Sequence, residues 1–563
     1  MNLFAINMLK EWRVSKNKAE NIVDKLLLNR NIDYKDKKAR ERFFNPSYER
    51  DSYNPFLMKG MKKAVERIKQ AIKNNEKIGI FGDYDVDGIC SSFIIYDFFG
   101  KVGLEKYIYL PDRQKEGYGL NLNALKYFKD KGVKLVITTD CGSSNYEEVK
   151  QANKDGFDVI ITDHHEVLNK KPEALAILNP KQKDCKYPMR DLSGTGVVFK
   201  LAQALRKKIK HKNISDAWEK RLLDLVGFAT ITDQMPILDE NRMLVYYGLK
   251  VIRKTHRIGL HYLIKVSRVK KESIDTYDLL FALGPRINTA GRIEHASLAF
   301  SLFETSVHKD AFDIAKELDE TNQRRKSIVE KNTRSIKKRL ENKKLDSIIF
   351  EIDKEWKPGV LGLLASKVQE DYGLPTFICY EDQDKIKCSA RTGHNFDSVS
   401  AIKKAEKYMI SWGGHKPAAG FTTKIEFSSC IEKIFIKEAK KLKTGDLGPV
   451  INIDAEIEPK DITMDFWDIL QKFSPYGQKN PEPIFVIRNL EIKSARKVGN
   501  GEKHFKLELQ KNNIVLKAIF FNGTKDNNLV DSHKVDIAFK ICLNEWRGFK
   551  NLELNILDAR NSK

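Results

Sequence analysis

The sequence has few cysteines, and none of them is placed for a covalent or zinc-bound scaffold. Seven are spread along the 563 residues, an odd number, with no C-x-x-C spacing. This usage argues against a disulfide framework and against a zinc knuckle, so we expect most of the cysteines to be small buried hydrophobic residues. It also fits a reducing compartment, and we expect a cytoplasmic protein.

Long apolar runs are absent as well. No stretch approaches the roughly 18–20 consecutive apolar residues that a membrane span needs. Residues 1–21, MNLFAINMLKEWRVSKNKAEN, lack the long apolar core and the small-residue cleavage site of a signal peptide. We therefore expect no membrane association. Low-complexity tracts and internal repeats are also missing, which argues against a solenoid.

Positive charge is what the chain has in excess. It carries 100 Lys+Arg against 77 Asp+Glu, a net charge of +23 and a pI near 9.3. Such an excess is typical of proteins with a polyanionic partner. The hydrophobic content of 41% is sufficient for ordinary cores, and the length predicts about three to four domains.

Short apolar strands alternate with amphipathic helices from residue 77 onward, which predicts an α/β fold with a mostly parallel sheet. A second α/β pattern follows a long charged helix, which is either a solvated surface helix or a connector between domains. The last part of the chain has five or six strands and little helix, typical of a small β-barrel. The predicted segments are an N-terminal helical segment packing on the core (1–76), a parallel-sheet domain (77–295), a connecting helix (296–342), a second α/β domain (343–445) and the barrel (450–563).

Three aspartates alternate in the stretch FGDYDVDGIC at Phe81–Cys90. The spacing resembles the start of an EF-hand calcium loop, which requires a glutamate at its twelfth position and a helix in front of it. The twelfth residue from Asp83 is Ile94, and the preceding residues 77–82 are predicted to form a buried strand. A calcium loop is therefore excluded.

Acidic side chains also follow the next predicted strands. Asp140 follows strand 134–139, Asp163-His164-His165 follows strand 157–162, and Asp233 ends a helical segment. Ligands of open α/β sheets bind outside the carboxyl ends of the strands, so these groups should meet at one place. Carboxylates about 4 Å apart repel by several kcal/mol at an effective dielectric near 20, and divalent cations would relieve this repulsion.

Asp and His without Cys suit Mn²⁺ or Mg²⁺, and the histidine favours manganese. The alternative is that each aspartate is a turn or N-cap residue, which is common for one aspartate and rare for three consecutive strand ends. A G-x-G at Gly194–Gly196 could suggest a dinucleotide fold, but it lacks the preceding strand and the third glycine.

The motifs DYDVDG, TTDCG and DHH together resemble the DHH phosphoesterase superfamily. The later motifs YLPDRQKEGYG, LSGTGVVFKLAQAL, TITDQMPILDENR, LGPRINTAGR, WKPGVLGLLASK, CSARTGHNFDSVSAI, WGGHKPAAGF and FSPYGQKNPEPIF narrow the resemblance to the RecJ family within it. The chain departs from the family at DCG, where DNG is more usual, and at TDQMP, where ADVVP or ADMVP is usual. Both departures keep the aspartate.

The resemblance implies a DHH domain and a DHHA1 domain joined by the long helix, and an OB-fold barrel that binds nucleic acid. It implies a single-stranded-DNA-specific 5′→3′ exonuclease that releases 5′-mononucleotides in DNA repair and recombination, using two divalent cations. It also implies a single strand with a 5′ end as substrate, a helicase and a single-strand-binding protein as partners, and a monomer. The implied catalytic residues are Asp83, Asp85, Asp87, Asp140, Asp163, His164, His165 and Asp233. Of these, Asp83, Asp85, Asp87, Asp140, His164 and Asp233 are the implied metal ligands, with Asp140 as the bridge, whereas Asp163 and His165 are ligands or groups that orient His164.

The direction of cutting requires a group that recognises a terminal phosphate, and forked guanidinium donors with a hydroxyl suit one. We expect Arg113, Ser389 and Arg391 to form this pocket and Arg286 to steer the strand, unless they form surface salt bridges only. His415 in GGHKPAAG could contact a phosphate, unless the motif is a plain glycine turn. The predicted DNA-binding residues are Arg113, Arg286, Arg292, Ser389, Arg391 and His415.

Two other classes of function remain open. A binding protein with a dead nuclease fold would have lost some of the carboxylates, and here each one is present. A nanoRNase or dinucleotide phosphatase would share the first two domains and lack the barrel. Degradation of a long single strand separates these possibilities.

Overall fold

The structure is a computed structural model, and it begins with a segment that packs on two parts of the molecule. Its first strand pairs in parallel with a strand at Val450–Ile453. Leu26, Leu27 and Phe43 belong to the hydrophobic core of the C-terminal barrel, whereas Met61 belongs to the core of the first sheet. The sequence-based expectation of a helical segment on the first domain missed this strand and these barrel contacts. The elements are β1 (Glu11–Val14), α1 (Ile22–Leu28), α2 (Lys37–Phe44), α3 (Tyr48–Asp51) and α4 (Met61–Lys73).

The structure describes most residues of the chain. They comprise 10–113, 115–167, 170–341, 343, 345, 347–393, 395–442, 450–525, 533–546 and 548–562.

The first sheet is parallel throughout and has five strands in the order β3-β2-β4-β5-β6. Its central strands IGIFG and LVITT are buried along their whole length, because helices cover both faces of the sheet. The register aligns Gly82 with Thr139 and Thr139 with Thr162, so three neighbouring strands end side by side. The elements are β2 (Ile78–Gly82), α5 (Val86–Lys101), β3 (Lys106–Tyr109), α6 (Leu122–Asp130), β4 (Leu135–Thr139), α7 (Tyr146–Lys154), β5 (Asp158–Thr162) and β6 (Ala176–Leu178).

A helical region follows the sheet and ends in a 34-residue helix, α15. Ala315 and Leu318 of this helix pack into the core of the first sheet, whereas Ile336 and Leu340 pack with residues of the second α/β unit. The long helix therefore connects the two units. No helix of the described residues is long and apolar enough to cross a membrane. The helices are α8 (Gly194–Lys208), α9 (Asp216–Arg221), α10 (Leu223–Thr232), α11 (Asp239–Arg253), α12 (Ile258–Val266), a π-helix (Asp278–Leu283), α13 (Gly284–Ile293), α14 (Ser297–Glu304) and α15 (His308–Glu341).

The second unit has a mixed five-stranded sheet in the order β10-β11-β9-β8-β7. Cys379 and Cys388 lie directly opposite each other on its antiparallel strands β8 and β9 and form a disulfide. The prediction that most cysteines are small buried residues holds for Cys90, Cys141, Cys379 and Cys388, and Cys430 is exposed. The sequence did not predict the disulfide of the Cys379–Cys388 pair, which hairpin pairing brings together. The elements are β7 (Ile349–Asp353), α16 (Leu361–Tyr372), β8 (Thr376–Asp382), β9 (Lys385–Arg391), α17 (Ser398–Lys404), β10 (Met409–His415), β11 (Ala418–Lys424) and α18 (Ser428–Ala439).

The C-terminal strands close into the barrel that the sequence predicts. Five of them form a ring in the order β14-β15-β16-β18-β17, which a pairing between β17 and β14 completes, and β13 adds to the outside of β14. The interior is apolar, with Leu490, Leu509 and Ile537 fully buried. The elements are β12 (Val450–Ile453), β13 (Ala455–Glu456), α19 (Met464–Gln471), β14 (Phe485–Val498), β15 (His504–Lys511), β16 (Ile514–Phe520), β17 (Lys534–Trp546) and β18 (Phe549–Asn561).

One buried arginine fastens the barrel to the helical region of the first unit. Arg242 on α11 is 1% exposed, and its guanidinium lies 3.9 Å from the centroid of the Phe43 ring. Burial lowers the pKa of Arg242 to about 9. Its three nitrogens donate hydrogen bonds to the backbone carbonyls of Phe43, Lys472, Phe473, Ser474 and Pro475.

Candidate active site

The acidic groups come together because the strands that precede them are neighbours. Asp83, Asp140 and Asp163 each follow directly on β2, β4 and β5, which lie side by side in parallel. Asp140 has a left-handed backbone with φ of 62°, which turns the chain sharply at the end of β4. All three side chains are at most 5% exposed. The structure thus brings these three side chains together at one edge of the sheet.

His164 lies at the centre of the cluster. Its Nε2 atom is 3.1 Å from Asp140 Oδ1, 3.5 Å from Asp233 Oδ2 and 3.7 Å from Asp87 Oδ2. Burial lowers the pKa of His164 to about 4, although Asp87 opposes this. The imidazole is therefore neutral near pH 7, which is the form that binds a metal ion.

Several buried oxygen and nitrogen atoms of the cluster that could bind a metal ion have no hydrogen-bond partner among the described residues. They are Asp83 Oδ1, Asp140 Oδ1, Asp233 Oδ2 and both ring nitrogens of His164. Burial, and then the neighbouring carboxylates, raise the pKa of Asp83, Asp85, Asp140 and Asp233. Within the described residues, no Lys or Arg forms an ion pair with these four carboxylates.

This donor set fits divalent cations. Three groups have ligand atoms within 4.8 Å of one another: Asp140, His164 and His165; Asp87, His164 and Asp233; and Asp83, Asp85 and Asp140. Oxygen donors with one or two imidazoles suit Mn²⁺ and Mg²⁺, and positive charge would offset the repulsion that raises the carboxyl pKa values. Asp140 and His164 each belong to two groups, which places them between two possible ion positions.

The helix that begins at Gly194 has a role that the sequence did not indicate. The backbone N–H groups of Gly194 and Thr195 donate to the two carboxylate oxygens of Asp87 at 2.6 and 2.8 Å. A Cβ atom on Gly194 would lie 2.6 Å from Asp140 Oδ1, so only glycine allows this approach. The G-x-G of Gly194–Gly196 therefore opens a helix whose N-terminus holds a carboxylate.

The carboxylate of Asp163 accepts its hydrogen bonds from groups of the protein. Its oxygens accept from the backbone N–H groups of Ser143, His164 and His165 and lie 2.8 Å from His165 Nδ1. Burial would raise the pKa of Asp163, but the hydrogen bonds from His165 lower it. Burial alone would lower the pKa of His165, but Asp163 raises that pKa above its ordinary value. The Tyr118 hydroxyl lies 3.0 Å from the same Nδ1 atom and donates to the backbone carbonyl of Asp140.

Three arginines from separate elements form a cluster beside the acidic groups. The Arg113 guanidinium lies 4.9 Å from the centroid of the Tyr84 ring, next to Asp83. Burial and then the charges of Arg113 and Arg325 lower the pKa of Arg292 to about 10. Burial and Arg113 also lower the pKa of Arg391. We call Arg113, Arg292 and Arg391 the arginine cluster.

Ser389 lies two residues before Arg391 on β9, so the two side chains share one face of the strand. His415 is exposed at the end of β10, in a hairpin whose Ala418 lies opposite Arg391. Gly414 of that hairpin has φ of 136°, and a Cβ there would lie 2.5 Å from Ala419 Cα.

Arg286 has other partners. It is 6% exposed, its Nε donates to Asp319 at 2.8 Å, and its Nη1 donates to the carbonyl of Ala282 at 2.5 Å. It therefore ties α13 to α15.

The three domains each match a known family. Residues 77–230 match the DHH family, N-terminal domain, residues 345–461 match the DHHA1 domain, and residues 453–558 match the RecJ OB domain. The chain is 36% identical over 547 residues to the single-stranded-DNA-specific exonuclease RecJ of Bacillus subtilis, covering 96% of this chain and 68% of that protein. It is 31% identical over 525 residues to the protein of the same name from Escherichia coli, covering 89% and 90%.

The chain belongs to the RecJ family.

Solved structures agree with this assignment. The crystal structure of RecJ in complex with Mn²⁺ from Thermus thermophilus shares the fold, with a TM-score of 0.84 at 24% identity over 99% of this chain and 80% of that one. A crystal structure of exonuclease RecJ bound to manganese has a TM-score of 0.59 at 27% identity, covering 69% of this chain and 96% of that one.

Two residues of the RecJ-family site escaped the sequence reasoning. Tyr118 lies in the motif EGYG, five residues after Arg113. Asn288 in GPRINTAGR accepts a hydrogen bond from Val86 N at 3.0 Å and so holds the start of α5. Neither has a charge, and only the fold shows what they contact.

Proposed function

We propose that this protein hydrolyses single-stranded DNA from its 5′ end with two divalent cations and releases 5′-mononucleotides, in DNA repair and recombination. The observation that carries the proposal is the set of buried, unpaired carboxylate oxygens of Asp83, Asp140 and Asp233 around His164, where the ends of β2, β4 and β5 meet the end of α10. Membership of the RecJ family supports the choice of single-stranded DNA as substrate.

We assign Asp83, Asp85, Asp87, Asp140, His164 and Asp233 as ligands of two Mn²⁺ or Mg²⁺ ions. The relatives of known structure that bind manganese support this assignment. When bound, the two ions lower the pKa of the attacking water and neutralise charge on the leaving oxygen. Asp140 belongs to two of the three groups and has two carboxylate oxygens, so it would be able to serve both ions.

The remaining polar residues of the site hold these ligands in place. Asp163 and Tyr118 fix the ring of His165, and Tyr118 also holds the backbone of Asp140. Because Asp163 accepts from four donors already, we assign it a positioning role. The N-terminus of α8 does the same for Asp87, whose two oxygens accept from backbone N–H groups.

The arginine cluster gives the direction of cutting. We assign Arg113, Arg391 and Ser389 to a pocket for the terminal 5′-phosphate, with Arg292 beside them. Burial and the charge of Arg113 lower the pKa of Arg292 and of Arg391. A bound anion would relieve this repulsion, and a terminal phosphate is a dianion near neutral pH. His415, in the hairpin next to Arg391, reaches the same anion. Arg286 supports this region through Asp319 and does not need to contact the strand.

The barrel extends the strand-binding surface. Phe549 and Phe521 are 74% and 51% exposed on it, and exposed aromatic rings serve as stacking platforms for bases. The net charge of +23 favours a phosphate backbone along the whole molecule.

We further propose that the protein acts as a cytoplasmic monomer together with a helicase and a single-strand-binding protein. An enzyme that accepts only single strands requires another protein to separate a duplex.

Degradation of a 5′-labelled single strand tests the proposal against its rivals. In Mn²⁺ the strand should be shortened to labelled mononucleotide, while the matching blunt duplex and the matching RNA should persist. EDTA should stop the reaction. Binding without metal-dependent degradation would indicate a dead nuclease, and cleavage limited to dinucleotides would indicate a small-molecule phosphodiesterase.

A further inference from the structure

A groove of about 490 Å³ lies between α15 and α16, outside the acidic cluster. Arg325, Val329 and Thr333 line it from α15 at intervals of four residues, which places them on one face of that helix. Leu363 and Ser366 line it from α16. Its volume lies within the roughly 300–1,000 Å³ that is usual for small-molecule sites.

The lining combines an apolar floor with a basic rim. Val329 and Leu363 supply apolar surface. Five lysine or arginine side chains and two glutamates line the groove around these two residues. A nucleoside monophosphate has the complementary chemistry, because its base has two apolar faces and its phosphate is a dianion near neutral pH. Inorganic phosphate alone would leave the apolar floor uncovered.

Two buried polar groups of the groove have no hydrogen-bond partner among the described residues. One is Nε of Arg325, and the other is the hydroxyl of Thr333, whose residue is 6% exposed. Among the described residues, Arg325 also forms no ion pair, and burial together with Arg286 lowers its pKa. A half-buried guanidinium with no carboxylate partner is stabilised by a bound anion.

The groove lies near the arginine cluster. The charge of Arg325 affects the pKa of Arg292. A Cβ on Gly362 would lie 2.8 Å from Nη2 of Arg391, and Ser366 follows one turn later on the same face of α16. The groove therefore lies close to the arginine cluster, with Arg325 on the side of Arg292.

We propose that the groove is a subsite for a nucleoside 5′-monophosphate, with the phosphate on Arg325 and the base against Val329 and Leu363. The inference rests on the proposed function, since hydrolysis from the 5′ end releases a molecule of this class. The terminal nucleotide of a strand presents the same chemistry, so the test separates the free nucleotide from the strand.

The test is calorimetric titration of the full chain with dAMP in EDTA, where no metal ion contributes to binding. An Arg391→Ala background weakens binding in the 5′-phosphate pocket. In that background dAMP should still bind, and deoxyadenosine should bind at least about tenfold more weakly because it lacks the phosphate. An oligonucleotide with a 5′-phosphate should not displace dAMP from the groove, and displacement would overturn the assignment to the free nucleotide.

Adding Arg325→Ala should weaken dAMP binding by about tenfold or more, and Lys367→Glu should weaken it in the same direction. Lys367 is a surface side chain, so this second variant tests the groove without disturbing a buried residue. Lys331→Ala is the matched control, because Lys331 lies on α15 outside the groove and should leave binding unchanged. Equal affinity in all three variants, or no dAMP binding in the Arg391→Ala background, would overturn the proposal.

Strand degradation in Mn²⁺ is measured on the same preparations. If wild type degrades the strand while the groove variants bind dAMP normally, only the groove inference fails. If wild type does not degrade the strand, the proposed function fails, and the titration still shows whether the groove binds a nucleotide.

Discussion

Replacing Arg242 with methionine should loosen the barrel from the first unit. Methionine keeps the apolar stem and removes the guanidinium that donates to the carbonyls of Phe43 and residues 472–475. Five charge-assisted hydrogen bonds at about 1.5 kcal/mol each contribute roughly 7–8 kcal/mol. The fall of the arginine pKa from 12.5 to about 9 corresponds to a burial penalty of about 5 kcal/mol. The net loss of local stability is therefore about 3 kcal/mol.

Hydrogen exchange of the Lys472–Gln478 backbone is the appropriate assay, because it reports local opening and does not require two-state unfolding. A loss of about 3 kcal/mol should speed exchange of this loop roughly 100-fold. Lys250→Met, on the same helix but exposed, is the control and should leave the loop unchanged. Degradation of long strands should also fall more than that of short ones, since the barrel loses its fixed position. A change in loop exchange below about fivefold would refute the reasoning.

Four further outcomes are expected. Asp140→Asn should lower turnover more than about 100-fold while strand binding in EDTA persists, and substantial residual turnover in Mn²⁺ would contradict the bridging role. Wild type should prefer 5′-phosphoryl to 5′-hydroxyl oligonucleotides, and Arg391→Ala should lose about tenfold of that preference, whereas equal rates in wild type would rule out the pocket. Tyr118→Phe should lower kcat about 10–100-fold with little change in KM, because the ring of His165 and the backbone of Asp140 lose the hydroxyl that holds them, and an unchanged kcat would show that the hydroxyl is dispensable. Phe549→Ala should weaken strand binding by about 1–3 kcal/mol without changing stability, measured against the control Phe312→Ala, and unchanged affinity would mean that this ring does not stack on a base.

The sequence by itself determined the order of the domains and the place where the acidic groups and His164 meet. Asp83, Asp140 and His164 follow apolar strands, and the carboxyl ends of parallel strands meet at one edge whatever the details of packing. The barrel was predictable for a similar reason, since alternating apolar and polar residues specify strands locally. These features depend on short stretches of chain, so a local pattern is sufficient to find them.

Only the tertiary structure decided which partner each polar group has. Arg286 and Arg391 look alike in their motifs, yet one is paired with Asp319 and the other lies in the arginine cluster. Gly194 approaches Asp140, and Leu26 enters the core of a barrel that begins more than 400 residues later. Such contacts join residues that are far apart in the chain, and the folded backbone alone determines which of many similar side chains meet.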